Sequence, residues 1–416
     1  MAQFEIKDGV GIIPDGTTEI GGSAFYGCTS LKSVTIPESV TRIAENAFYG
    51  CSELESVVIP NSVTEIGKNT FRACFSLKSI TIPESVTKIG ALAFNLCTSL
   101  ESIVIPESVT KIDDGAFSAC KSLKSITIPE SVKAIGEGAF VGCTSLKSIT
   151  IPGSVGTIRY QTFARCTSLE NVIISKGVKK IGYEAFKGCT SLKSISVPVS
   201  VKEIDNDAFV NCTSLESIVL PKVKKIGHSA FDGCTSLESI RMLESTTEIS
   251  AGAFRGCVSL KNITIPNSVT EIRAYAFEGC TSLESIAIPN SVTYIGDGAF
   301  RGCTSLESIT IPESVKRIGK SAFEGCTSLE SITIPKLVTE IGENTFIGCA
   351  SLTSITLPES LVWISKSTFF YDRNGTYLAL TAINVPVVKA DFYKQRLPEE
   401  LHDKIVELAP EKKTKK

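Results

Sequence analysis

Cysteine recurs along this chain at a fixed interval. Fifteen of them run from Cys28, Cys51 and Cys74 to Cys349, each 23 residues after the last except between Cys212 and Cys234, where the step is 22. Phenylalanine keeps the same step, from Phe25, Phe48 and Phe71 through Phe346 to Phe369. A chain periodic at this length folds as a stack of like units, because one short unit cannot bury its apolar side alone. The 416 residues therefore do not divide into two or three ordinary domains, as length alone would suggest.

One unit shows how each coil is built: Cys303-Thr-Ser-Leu306-Glu-Ser-Ile309-Thr-Ile311-Pro312-Glu-Ser-Val315-Lys-Arg-Ile318-Gly319-Lys-Ser-Ala322-Phe323-Glu-Gly325. Leu306, Ile309 and Ile311 end in the alternation of a short strand with one buried face. Pro312 ends that strand, since it has no N–H to give to a ladder. Val315 and Ile318 mark a second short extended piece, and Gly319 permits the turn that returns Ala322 and Phe323 to the interior.

The motif C-x-x-L-x-x-I-x-I-P-x-x-V-x-x-I-G-x-x-A-F-x-G, over about residues 5–372, resembles the BspA-like leucine-rich repeats. Fifteen coils carry the cysteine, and an N-terminal coil has Glu5 in its place. The resemblance implies a right-handed β-solenoid of the horseshoe type, with a parallel concave sheet and short strands and turns on the second face. With strands about 4.8 Å apart, the inner arc is on the order of 75 Å. The organisation expected is an atypical coil over 1–27 and the array over 28–371. An insertion (Tyr371–Tyr377) and a last partial coil fill 372–397. Over 398–416, the spacing of Leu401, Ile405 and Leu408 predicts a capping helix, followed by a disordered lysine-rich tail.

Little in the chain points to catalysis. Lysine and arginine number 42 against 44 acidic residues, so no electrostatic footprint for nucleic acid exists. No apolar run reaches the ~18 residues that span a bilayer. One cysteine per coil lacks the close pairs of a zinc site. Parallel side-chain vectors and an odd count argue against systematic disulfides. The thiols read as a reduced core ladder of small hydrophobes, at home in a reducing compartment. His228 and His402 have no repeated acidic or nucleophilic partner, and no phosphate loop, nucleophile elbow or dinucleotide fingerprint occurs. The expectation is a protein with no cofactor and no enzymatic activity. The start at Met1-Ala2-Gln3-Phe4 lacks a basic, apolar leader, which places the chain as written in the cytoplasm. The resemblance offers the cell surface or secretion as the alternative, since surface members of that family attach to host proteins or other cells.

Strand positions flanking the buried isoleucines form a ribbon of small side chains: Ser33, Ser56, Ser79 and Ser102, and two residues on Thr35, Val58, Thr81 and Val104. Lys32, Glu55, Lys78 and Glu101 border it in alternating sign. Such a ribbon suits an extended polypeptide or a glycan; it is also what any solvated strand face carries. Between about 153 and 250 the consensus loosens. One coil is a residue short between Pro221 and Val223, which predicts a local kink. Lys179, Lys180, Lys202, Lys224 and Lys225 concentrate positive charge on the second face. Ile173, Val219 and Arg241 interrupt the ribbon, and Tyr160 and Tyr183 share a register one coil apart. These ten residues are the candidate partner-binding positions of a non-enzymatic protein-binding scaffold. The alternative is a cytosolic assembly component that self-associates. Oligomeric state is not legible in the sequence.

Overall fold

A computed structural model describes residues 3–243, 245–370, 378 and 380–409. The insertion expected at 371–377 and the tail at 410–416 lie outside them. The chain divides into two compact units, Met1–Ile218 and Val219–Lys416, and the division falls in the coil that is one residue short. Each is a β-solenoid of short coils.

The first unit begins with a hairpin. Glu5–Lys7 pairs antiparallel with Val10–Ile12, and Asp8 and Gly9, at φ 53° and 82°, supply the positive φ pair that a two-residue hairpin turn requires. From there the sheet is parallel. Ser33–Thr35, Ser56–Val58, Ser79–Thr81, Ser102–Val104, Ser125–Thr127, Ser148–Ile151, Asn171–Ile174 and Ser194–Ser196 follow one another. Ser33 sits beside Ser56, and Ser56 beside Ser79. Two-residue strands such as Lys88–Ile89 and Lys111–Ile112 build the second face.

Phenylalanine rings stack along the interior of this unit at 5.2–5.5 Å, all fully buried. Phe4 lies tilted over Phe25 at 5.6 Å and covers the open end of the column. The cysteines do more than fill space. Each buried thiol donates to the carbonyl of a phenylalanine in an earlier coil, as Cys51 does to Phe25 at 3.0 Å and Cys189 to Phe163 at 3.2 Å. The same carbonyl also accepts the N–H of the cysteine in its own coil, as Phe25 does from Cys28 at 3.0 Å, so the thiol is its second donor and ties successive coils together.

The residue before each cysteine turns through the left-handed region. Glycine holds it in most coils, as at Gly142 (φ 72°), but Arg165 does so at φ 60°. An L side chain there is disfavoured by about 1–2 kcal/mol, against about 0.5–1 kcal/mol for the extra freedom glycine gives the unfolded chain. Arg165 is exposed, so Arg165→Gly is expected to stabilise the protein by about 0.5–1 kcal/mol, read as a higher urea midpoint at unchanged slope.

In the second unit, strands of the first face include Ser239–Met242, Asn262–Thr264, Ser331–Thr333 and Ser354–Thr356, and the second face runs from Glu248–Ile249 to Trp363–Ile364. Its rings stack at 5.5–6.2 Å, ending at Phe369. The end of the chain corrects the expected capping helix over 398–409. The helix is Ala390–Arg396, and its Tyr393 is buried with the hydroxyl donating to the Pro358 carbonyl. Glu399–Lys404 forms a short 3-10 turn, and Ile405–Leu408 is a strand parallel to Ala382–Pro386. The free ladder edge of 382–386 offers main-chain hydrogen bonds, and β-branched Ile405 and Val406 suit it better than a helix.

Candidate functional site

In each first-face strand of the first unit the central residue is buried and its neighbours point outward. Thr35, Val58, Thr81, Val104, Thr127, Thr150 and Ile173 therefore stand in one outward column, a coil apart and in register. All are β-branched and so nearly fixed at χ1. Val58 is 66% exposed, Val104 77% and Ile173 58%. Parallel sheets are ordinarily covered on both faces; this face is open. A shallow depression crosses it, floored by Ser125, Thr127, Ser148, Thr150, Asn171 and Ile173.

Charged residues border the column. Lys78 reaches Glu55 at 3.0 Å and Lys124 reaches Glu101 at 2.7 Å, exposed contacts that add little stability but cancel charge along that stretch. Lys147, next after Lys124, makes no ion pair among the described residues and is exposed. On the opposite rim Lys176 is also exposed and without an ion pair among those residues.

The second-face lysines of this unit differ among themselves. Lys180 is held by Asp205 at 2.9 Å and Glu203 at 3.4 Å, and the hydrogen bond with Asp205 raises its pKa. Lys202 donates to the Val199 carbonyl at 2.7 Å. Lys179 is exposed, and its carbonyl accepts the Lys202 N–H at 2.8 Å. Tyr160 and Tyr183 stack at 5.4 Å, 9° from parallel. Their rings cover each other and present edges. In the second unit Val219, Lys224, Lys225 and Arg241 are all exposed, Arg241 at the outward position of strand Ser239–Met242.

Gly153, on the Lys176 rim, allows an unusually close approach. A Cβ there would lie 2.1 Å from the Lys176 carbonyl oxygen. Gly153→Ala is expected to cost about 1–3 kcal/mol through backbone displacement, seen as a lowered urea midpoint. His402 Nε2 lies 2.9 Å from the Leu397 carbonyl oxygen, a structural contact. Among the described residues no group of three His, Cys, Asp or Glu is placed to hold a metal, and no helix is long and apolar enough to cross a membrane. The depression and the unpaired Lys147 and Lys176 went unnamed in the sequence.

A family model described as the BspA type leucine-rich repeat region, in six copies, matches residues 11–123, 87–216, 203–327 and 295–394. A leucine-rich repeat protein from Bacteroides ovatus is 32% identical over 94% of this chain and 87% of its own, with a TM-score of 0.64. A leucine rich cell surface protein from Faecalibacterium prausnitzii is 31% identical over 85% of this chain and 87% of its own, at a TM-score of 0.43. No functionally curated protein matches the chain.

Proposed function

The chain belongs to the BspA-type leucine-rich-repeat family, and from that premise we propose that it is a non-enzymatic scaffold binding a protein partner through the strand face of its first unit. The observation that carries this reading is the column from Thr35 to Ile173, rigid, uncharged and open to solvent. Side chains already confined to one rotamer lose little entropy on association, and Val58, Val104 and Ile173 add exposed apolar surface to the threonine methyls of the same column. Thr127→Arg/Thr150→Arg places two bulky charges on the floor without touching the core. Capture of the natural partner from source cells is expected to be saturable with the unchanged chain and at least tenfold weaker with the double variant. Equal capture by both sinks the reading.

One feature favours self-association as a second reading. Among the described residues Ile405–Leu408 ends its sheet with Val406 and Leu408 exposed, and a strand edge left uncovered is a template for another chain. Concentration-dependent sedimentation without any partner would select it. For location we propose the cytoplasm, on the chemistry of fifteen cysteines that form no disulfide. The full-length chain should survive protease treatment of intact cells and disappear after lysis. Loss from intact cells would move it to the surface and make proteins of other cells the partners to seek.

A further inference from the structure

Charge along the border of the first unit alternates in sign through Lys32, Glu55, Lys78, Glu101 and Lys124, then fails once, because Lys147 follows Lys124. The failure falls beside the depression, whose lining includes Ser125 and Ser148, the residues next to those two lysines. Glu101 already engages Lys124 at 2.7 Å. Glu170, on the other side of Lys147, makes no ion pair with it among the described residues. On the far rim Lys176 stands one coil beyond Gly153, which contributes no side chain to neutralise it. Glu130, the nearest acid in that column, is two coils away. Two ammonium groups with no ion pair among the described residues thus flank an uncharged floor of hydroxyls and methyls, with Ile173 58% exposed in it.

We propose that this depression takes an extended acidic peptide segment of the partner, laid along the strand direction, with a carboxylate at each rim and aliphatic side chains over Ile173. The inference rests on the strand-face reading and adds the chemistry of the occupant. Lys147 and Lys176 are separated by roughly six residues of extended chain, about 20 Å, once the one-coil offset is set aside. A main chain in that position has Ser148, Thr150 and Asn171 as hydrogen-bonding groups beneath it. A sulfated glycan would also be drawn to the lysines, but Ile173 and the threonine methyls would go unused, and the floor has no aromatic ring on which a sugar could stack.

The test uses the full chain and two labelled heptapeptides, Glu-Thr-Val-Ser-Ile-Thr-Glu and Lys-Thr-Val-Ser-Ile-Thr-Lys, whose end groups lie six residues apart on one face of an extended chain, followed by fluorescence anisotropy at low salt. The acidic peptide is expected to bind at least tenfold tighter than the basic one, and Lys147→Glu/Lys176→Glu to reverse that order. Both lysines are exposed, so the fold is retained, as circular dichroism would verify. Ile173→Ser should weaken both peptides. No preference between the peptides, or displacement of the acidic one by an equimolar heparin oligosaccharide, overturns the proposal. Natural-partner capture that survives Lys147→Glu/Lys176→Glu but is lost in Thr127→Arg/Thr150→Arg overturns this inference alone. Capture that survives both overturns the strand-face reading with it.

Discussion

Titrated upward from about pH 8.5, the protein is expected to hold its fold and then lose it within about one pH unit, near pH 10. Burial pushes Cys51, Cys166, Cys280 and Cys349 from an ordinary value of 9.0 to about 12. Cys97, Cys120, Cys143 and Cys189 rise well above it for the same reason. The protonated thiol is also the donor to each phenylalanine carbonyl. Above the unfolded value the unfolded chain releases protons that the folded chain keeps, so stability falls as pH rises. The contribution is complete below about pH 8.5 and is lost on the way to the folded value. Each thiol contributes a slope of about 1.4 kcal/mol per pH unit. Even five of these eight acting together give about 7 kcal/mol per unit, comparable with the whole stability of a domain. Thiolate absorbance and far-ultraviolet circular dichroism should change together. A gradual rise in thiolate with the fold intact would contradict this picture of the core.

Phe186→Ala is expected to destabilise the protein by about 3–5 kcal/mol, the usual cost of emptying a fully enclosed aromatic site. Phe186 is fully buried, 5.5 Å from Phe163 and 5.4 Å from Phe209. Each ring is a wall of its neighbours' sites, and in a stacked array the loss falls first on adjacent coils. Hydrogen exchange should therefore quicken most around residues 163–209. Lys193→Ala, seven residues away and exposed, is the control and should shift stability by less than about 0.5 kcal/mol. A Phe186→Ala effect no larger than that control would mean the column does not hold the stack together.

The repeat made the coils, strand positions and core columns legible, since Ile and Phe spacing alone decides which residues face inward. The thiol hydrogen bond was not legible. A cysteine 26 residues after the phenylalanine whose carbonyl it meets reads as a small hydrophobe until the coil's geometry is known. At the C-terminus Leu401, Ile405 and Leu408 fit a helical spacing, and only the vacant edge of Ala382–Pro386 decides for a strand. At the surface, residue type alone could not separate a free lysine from a held one. Lys180 looked like part of a basic cluster, but the next coil brings Glu203 and Asp205 to it. Lys147 lies two coils beyond the alternating stretch from Lys32 to Glu101. Its signal was the doubled sign after Lys124, visible once the border column is read by itself.

Site-directed photo-crosslinking tests the strand-face reading most directly. Benzoylphenylalanine would replace Thr150, at the floor of the depression, or Lys111, exposed on the second face, and the source cells would be irradiated intact. A heavier product containing a second protein is expected from Thr150 and absent from Lys111. A product from Lys111 with none from Thr150 would contradict the assignment of the strand face as the binding surface.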